Sequence, residues 1–252
     1  MRKSIFVLLF HFVVSIYAVE AKPNRQKPLC LHAILVADTK DSRIGGACMI
    51  DMYRWEIFLR TVAEDLGWQL NLRRFIGKDL VLSDVVNYVS QIPSTPKDSI
   101  FFCYSGHGQN FERLFPAACF TREGRIYPAV DVQKTLEGKP HRTLVTVFDC
   151  CNTIPEKPQS KYESKNFEET LVMRHNAKTL FRNFSGSIVV AAAGVGYQAQ
   201  ATRQDGSCFS RSLIRILHEQ RLGSWEHAME VLQQEDREKR EWQFPMYQIT
   251  RK

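Results

Sequence analysis

The stretch SIFFCY, Ser99–Tyr104, runs directly into Ser105-Gly106-His107-Gly108, and LVTVF, Leu144–Phe148, runs in the same way into Asp149-Cys150-Cys151. Both runs have the length of a strand and are shorter than an ordinary helix. Two further runs share the pattern: LHAILVA, Leu31–Ala37, ends in Asp38, and SIVVAAA, Ser187–Ala193, ends in Gly194. Strands that are apolar at nearly every position are buried on both faces, as in a parallel sheet with helices on either side.

The intervening sequence supplies those helices. Cys48, Met52, Trp55, Leu59, Val62 and Leu66 recur at spacings of three and four, so they share one helix face, and Gly67 ends the pattern. Trp68–Ile76 alternates as a strand. Ser83 is placed to cap a helix carrying Val85, Val86, Val89 and Ile92, which Pro93 terminates. Asp131–Leu136 reads as a short helix. Ile154–Ser185 reads as a linker with one helical stretch near Glu168–Arg174. Phe209, Leu213, Ile216 and Leu217 mark another helix, and Trp225, Met229 and Leu232 the last. Phe244–Ile249 suits an edge strand, where Pro245 is tolerated. No internal repeat is present. Strands alternating with helices predict an α/β fold with a mostly parallel sheet of about six strands and helices on both faces. In such sheets chemistry sits beyond the carboxyl ends of the strands.

Composition sets further limits. The 252 residues are 44% hydrophobic and 24% charged, with a net charge of +7. That charge is dispersed, and the one dense charge run, Gln234–Arg240, has mixed signs, so the chain is not expected to bind nucleic acid. At the N-terminus, Arg2 and Lys3 precede the apolar run Ser4–Val19, with Ala18 or Ala21 as the small residue after it. This pattern predicts a signal peptide over residues 1–21, an exported protein (periplasmic or secreted) and no stable membrane association after cleavage. The alternative is an uncleaved N-terminal anchor, for which the run falls short of the ~20 residues of a membrane span. Seven cysteines, an odd number, leave at least one without an intramolecular disulfide partner. Their spacings match no zinc site, and no Gly-x-Ser-x-Gly motif points to a serine esterase.

The strand ends therefore carry Asp38, His107 between two glycines, the Asp149-Cys150-Cys151 segment and Gly194. A His from one strand end and a Cys from another can meet above the sheet as base and thiol nucleophile. Glycines beside His107 permit a sharp turn and close approach of a ligand to the backbone. Neighbouring side chains on an extended segment point to opposite faces, so only one of Cys150 and Cys151 can face His107. The residues alone leave either one possible.

Tyr104-Ser105-Gly106-His107-Gly108 and Phe148-Asp149-Cys150-Cys151, with His107 44 residues before Cys151, resemble the caspase-like cysteine peptidases. Metacaspases are the closest group: Asp149 and Cys151 fit their Asp-x-Cys-His-Ser-Gly pattern. Asn152, Thr153 and Ile154 then stand where His, Ser and Gly are usual. Ala47–Asp51 is similar to the family's Gly-Cys-x-Asn-Asp segment, Leu114-Phe115-Pro116 to its post-histidine strand, Ala191–Ala199 with Gly206–Ser210 to the opening of its small-subunit helix, and Gln243-Phe244-Pro245 to its closing strand.

The resemblance implies a three-layer caspase-like sandwich: residues 22–252 as one peptidase domain, with 29–154 large-subunit-like, 155–185 a linker and 186–252 small-subunit-like. It makes Cys151 the nucleophile and His107 the acid–base group, with the N–H groups of Gly108 and Cys151 as the oxyanion hole. No third residue orienting the imidazole is visible. The implied substrates are peptides or proteins cleaved after Arg or Lys, held by Asp51 and Asp149. Arg43 lies near where caspases carry a pocket arginine, so cleavage after Asp is the rival specificity, and an inactive binding protein on the same fold is the rival class. Lys157, Lys161 and Lys165 are the sites at which self-cleavage would fall. Calcium, used by many metacaspases, is not expected: Gln109–Tyr127 offers only Glu112 and Glu123 against Arg113, Arg122 and Arg125. No other cofactor or metal is implied.

Overall fold

A computed structural model describes residues 28–111, 114–153, 176–219, 221–239 and 243–252. The expected signal peptide, Lys157, Lys161, Lys165 and the helical stretch near Glu168–Arg174 lie outside these residues. Strands are β1 (Cys30–Ala37), β2 (Gln69–Ile76), β3 (Ser99–Ser105), β4 (Gly108–Gln109), β5 (Ala117–Phe120), β6 (Arg125–Pro128), β7 (Thr143–Asp149), β8 (Gly186–Ala191), β9 (Ala201–Thr202), β10 (Gly206–Ser207) and β11 (Met246–Arg251). Helices are α1 (Gly45–Leu66), α2 (Leu82–Gln91), α3 (Ala129–Glu137), α4 (Cys208–Glu219) and α5 (Trp225–Lys239).

Six strands form the central sheet in the order β11-β8-β7-β3-β1-β2, and only β11 runs antiparallel to its neighbour. Side-chain alternation sorts the four apolar strands into two cores. Leu31, Ala33, Leu35, Phe101, Cys103, Val145, Val147, Ile188 and Val190 meet α1, α4 and α5 on one face. Ile34, Val36, Ile100, Phe102, Tyr104, Leu144, Phe148 and Val189 meet α2 and α3 on the other. The result is the expected three-layer α/β sandwich. The α1 face carries Cys48, Met52, Trp55, Leu59, Val62 and Leu66, all buried as their spacing predicted, together with Phe58. Each large apolar side chain buried this way contributes roughly 1.5–3 kcal/mol. Gly67 closes α1 at φ 64°, and its N–H donates to the carbonyls of Ala63 and Glu64.

Some expectations are corrected. Ser83 does not cap α2: the helix begins at Leu82 after Val81, and no side chain of the cap residue bonds to it. The free N–H of Leu82 is instead met from the far side by Glu123 Oε1 at 2.7 Å. Leu114-Phe115-Pro116 is not a strand: it lies between β4, which directly follows the histidine, and β5, which starts at Ala117. Phe244 and Pro245 likewise lie before β11, because Pro245 has no N–H for the ladder. Part of the expected linker is core: a short helical turn over Lys178–Arg182 buries Leu180 and Phe181 beside Trp225. Two small units carry no period-2 signal long enough to read, the three-stranded β4-β5-β6 sheet and the β9-β10 hairpin.

Candidate active site

Register brings the strand ends level. Ala37 pairs with Ser105, and Ser105 pairs with Asp149, so the chain leaves β1, β3 and β7 at one height. Strand β1 continues to β2 on one side, while β3 lies on the other, which makes this edge the topological switch point where open sheets bind ligands. A cavity of about 350 Å³ opens there. Its lining includes Arg43, Asp51, His107, Gly108, Asp149 and Cys151, so every residue singled out for the site faces one space. Asp38 serves a different purpose: it is buried, and its Oδ2 accepts from Thr121 Oγ1 at 2.8 Å, tying β1 to the β5–β6 turn.

The two cysteines separate as extended neighbours must. Cys150 is 1% exposed and packs in the α2/α3 core, whereas Cys151 is partly exposed and lines the cavity. Gly108 sits against both, and a β-carbon at that position would overlap the Cys151 carbonyl oxygen and the Cys150 thiol. The ladder bond beside Gly108 runs from the Cys119 N–H to the His107 carbonyl at 2.8 Å. Gly108 and Ala118 are therefore a non-hydrogen-bonded pair, and the Gly108 N–H points away from β5. The Cys151 thiol donates to the Ala199 carbonyl at 3.9 Å. Burial pushes this thiol up, and the nearby charge of Asp149 adds to the rise, while the Ala199 and Cys151 backbone contacts oppose it.

His107 is held at its backbone and at its ring. The Tyr104 hydroxyl lies 2.8 Å from the carbonyl oxygens of both His107 and Cys119, and it fills the space where a β-carbon on Gly106 would sit. At the ring, Nε2 lies 3.2 Å from Asp41 Oδ2 and 3.3 Å from Arg43 Nη2. No partner for the imidazole is visible in the sequence, yet Asp41 is one. Nothing in DTKDSR marks Asp41 above Asp38, because its role depends on how the β1–α1 loop folds.

Asp51 and Asp149 are buried, at 1% and 4% exposure. Asp51, in the second turn of α1, accepts from Ser105 Oγ at 3.0 Å and from the Ser207 N–H at 2.8 Å. Asp149 accepts from Ser210 Oγ at 2.5 Å, and Trp55 Nε1 donates to the same hydroxyl at 2.8 Å. Burial raises both carboxyls: Asp149 moves to about 6, and Asp51, which also feels the charge of Asp149, moves well above its usual range. Gly206 adopts φ +69° against Asp51, where a β-carbon would overlap Oδ1. The charge of Arg54 opposes this rise at Asp51, and Arg43 lines the same cavity. Among the described residues, no group of three or more His, Cys, Asp and Glu side chains could hold a metal ion.

A family model described as a caspase domain matches residues 58–250, which include His107, Asp149 and Cys151. The chain belongs to the caspase family of cysteine peptidases. No curated protein sequence matches it. Asp51, Arg43 and Asp41 precede the matched segment, so their place in the caspase domain rests on the geometry above.

The departure from the metacaspase pattern at Asn152 acquires a physical reason in this caspase domain. Asn152 is fully buried, and all of its hydrogen-bonding groups are used. Its Nδ2 donates to the Leu114 carbonyl at 3.1 Å and the Ala193 carbonyl at 3.3 Å, and its Oδ1 accepts from Asn110 Nδ2 at 2.8 Å. Its N–H donates to the Tyr197 carbonyl, and its own carbonyl accepts from the Gly196 N–H. The residue after the cysteine thus clamps the β7 loop to two neighbouring loops. Asn152→Asp turns the Nδ2 donor into an acceptor facing two carbonyls. It is expected to cost ~2–4 kcal/mol, read as a lower urea midpoint; an unchanged midpoint contradicts the clamp.

Proposed function

We propose that this caspase domain is an exported endopeptidase of metacaspase type that cleaves peptides after Arg or Lys. His107 takes the Cys151 proton and later gives it to the leaving amine. The thiolate attacks the scissile carbonyl, and water hydrolyses the resulting thioester. The N–H groups of Gly108 and Cys151 stabilise the oxyanion. The observation that carries the specificity is the pairing of Asp51 and Asp149 in the cavity that also holds Cys151. An arginine or lysine side chain entering there meets charge-assisted acceptors, and an aspartate side chain is repelled. Export rests on the pattern of residues 1–21. Calcium is not part of the proposal, since the stretch after the histidine lacks an acidic cluster.

The raised carboxyls give this pocket a measurable signature. Between ~3.9, the value of an unfolded aspartate, and about 6 for Asp149, the folded chain holds more protons than the unfolded one. The stability contributed by Asp149 therefore falls as pH rises through that window, and Asp51, raised well above the usual carboxylate range, adds a loss in the same direction. The melting temperature is expected to fall between pH 5 and pH 7.5 by more in the native protein than in Asp51→Asn, which cannot ionise. Agmatine, an arginine side chain without a carboxylate, is expected to restore part of the loss at pH 7.5. No restoration by agmatine would count against a cation pocket.

A further inference from the structure

We infer that Asp41 is the positioning residue that sets the tautomer of His107, so that Nε2 carries the proton and Nδ1 is left with the lone pair that a thiol proton needs. The inference rests on His107 and Cys151 acting as the catalytic pair. Asp41 is suited to the task by the way its carboxylate is divided. Oδ1 accepts from the N–H groups of Arg43 at 2.8 Å and Ile44 at 3.0 Å, and the Asp41 carbonyl accepts from the Gly45 N–H at 3.0 Å. These bonds anchor the side chain at the start of α1 and leave Oδ2 facing His107 Nε2 at 3.2 Å. Burial works to raise the Asp41 carboxyl, but the Ile44 and Arg43 N–H groups and the His107 ring together hold it below the usual range, so it is ionised at neutral pH.

An ionised carboxylate has no proton to give, so it accepts from Nε2–H. The guanidinium of Arg43, 3.3 Å from the same nitrogen, can only donate and so favours the opposite tautomer, with Nε2 bare and the proton on Nδ1. The two residues compete for one atom. Asp41 prevails because two backbone bonds to its Oδ1 fix the carboxylate, whereas Arg43 reaches the ring at the end of a long side chain. Among the described residues, the other ionisable groups that line this cavity are Cys151 from the β7 loop, Cys48 and Asp51 from α1, and Asp149 at the end of β7.

Asp41→Asn isolates this role. The asparagine keeps an Oδ1 for the Arg43 and Ile44 N–H groups, so the helix start is preserved, but it puts an amide donor in place of Oδ2. Cys151 alkylation by iodoacetamide, followed by mass spectrometry across pH, reads the coupling without any substrate, so it stands apart from whether a peptide is turned over. In Asp41→Asn the rate at pH 7 is expected to drop at least tenfold, and the midpoint of the profile to move upward. In a His107→Ala background, Asp41→Asn is expected to add nothing. A profile that overlays the native one overturns the inference, as does an equal effect with His107 absent. If Asp41→Asn does not fold, nitrogen NMR of His107 in the native protein decides: protonated Nε2 supports the assignment, and protonated Nδ1 overturns it.

Discussion

Cys151→Ala is expected to abolish peptide turnover in a protein that still folds, with kcat down by ~10⁴–10⁶, the usual cost of removing a covalent nucleophile. The fold is expected to survive because Cys151 lies at the cavity wall, and its thiol makes a long 3.9 Å contact with the Ala199 carbonyl. Cys150→Ala is the contrasting variant. It removes a sulfur from the core around Tyr104 and Phe148, at a cost of about 1–2 kcal/mol, and leaves most of the activity. Steady-state kinetics with circular dichroism on the two variants checks both halves. If Cys150→Ala is inactive and Cys151→Ala is active, the nucleophile is the other cysteine.

The second large effect is expected at Asp51. Alanine would leave the buried Ser207 N–H without an acceptor, so asparagine is the cleaner replacement, because it keeps an oxygen there and removes only the charge. Asp51→Asn is expected to lower kcat/KM on P1-Arg peptides by ~10²-fold or more, equivalent to at least ~2.7 kcal/mol. The same variant is expected to melt at a higher temperature at pH 7.5, because the native protein must there hold an ionised carboxylate that burial and Asp149 both disfavour. Lost activity together with gained stability marks a residue kept for binding a cation. Retained P1-Arg activity in Asp51→Asn would contradict that role.

The four apolar runs were legible because both faces of each strand are buried, so hydrophobic content alone marks them. Their length also marks the edge where they end, which is why His107, Asp149 and Cys151 could be named. Asp51 was found only through resemblance, since a lone aspartate within a helical pattern looks no different from an exposed one. Asp41 and Asn152 were missed for a related reason. Asp41 matters because the β1–α1 loop turns its Oδ2 onto an imidazole 66 residues away in sequence. Asn152 matters because it joins loops that meet only in the folded chain, near Asn110, Leu114, Ala193 and Tyr197. Ser83 looked like a cap by type and position, and the cap came instead from Glu123, which no local rule could supply.

The central claim is that a caspase-family chain uses two buried aspartates to select a basic residue. Its most direct test is kcat/KM on a matched panel of fluorogenic peptides that differ only in P1, with Arg, Lys and Asp, assayed with and without calcium. The account predicts cleavage after Arg and Lys, no measurable cleavage after Asp, and rates that do not require calcium. Efficient cleavage after Asp with the Arg and Lys peptides untouched would contradict it and would make Arg43, on the wall of the same cavity, the residue that reads the substrate.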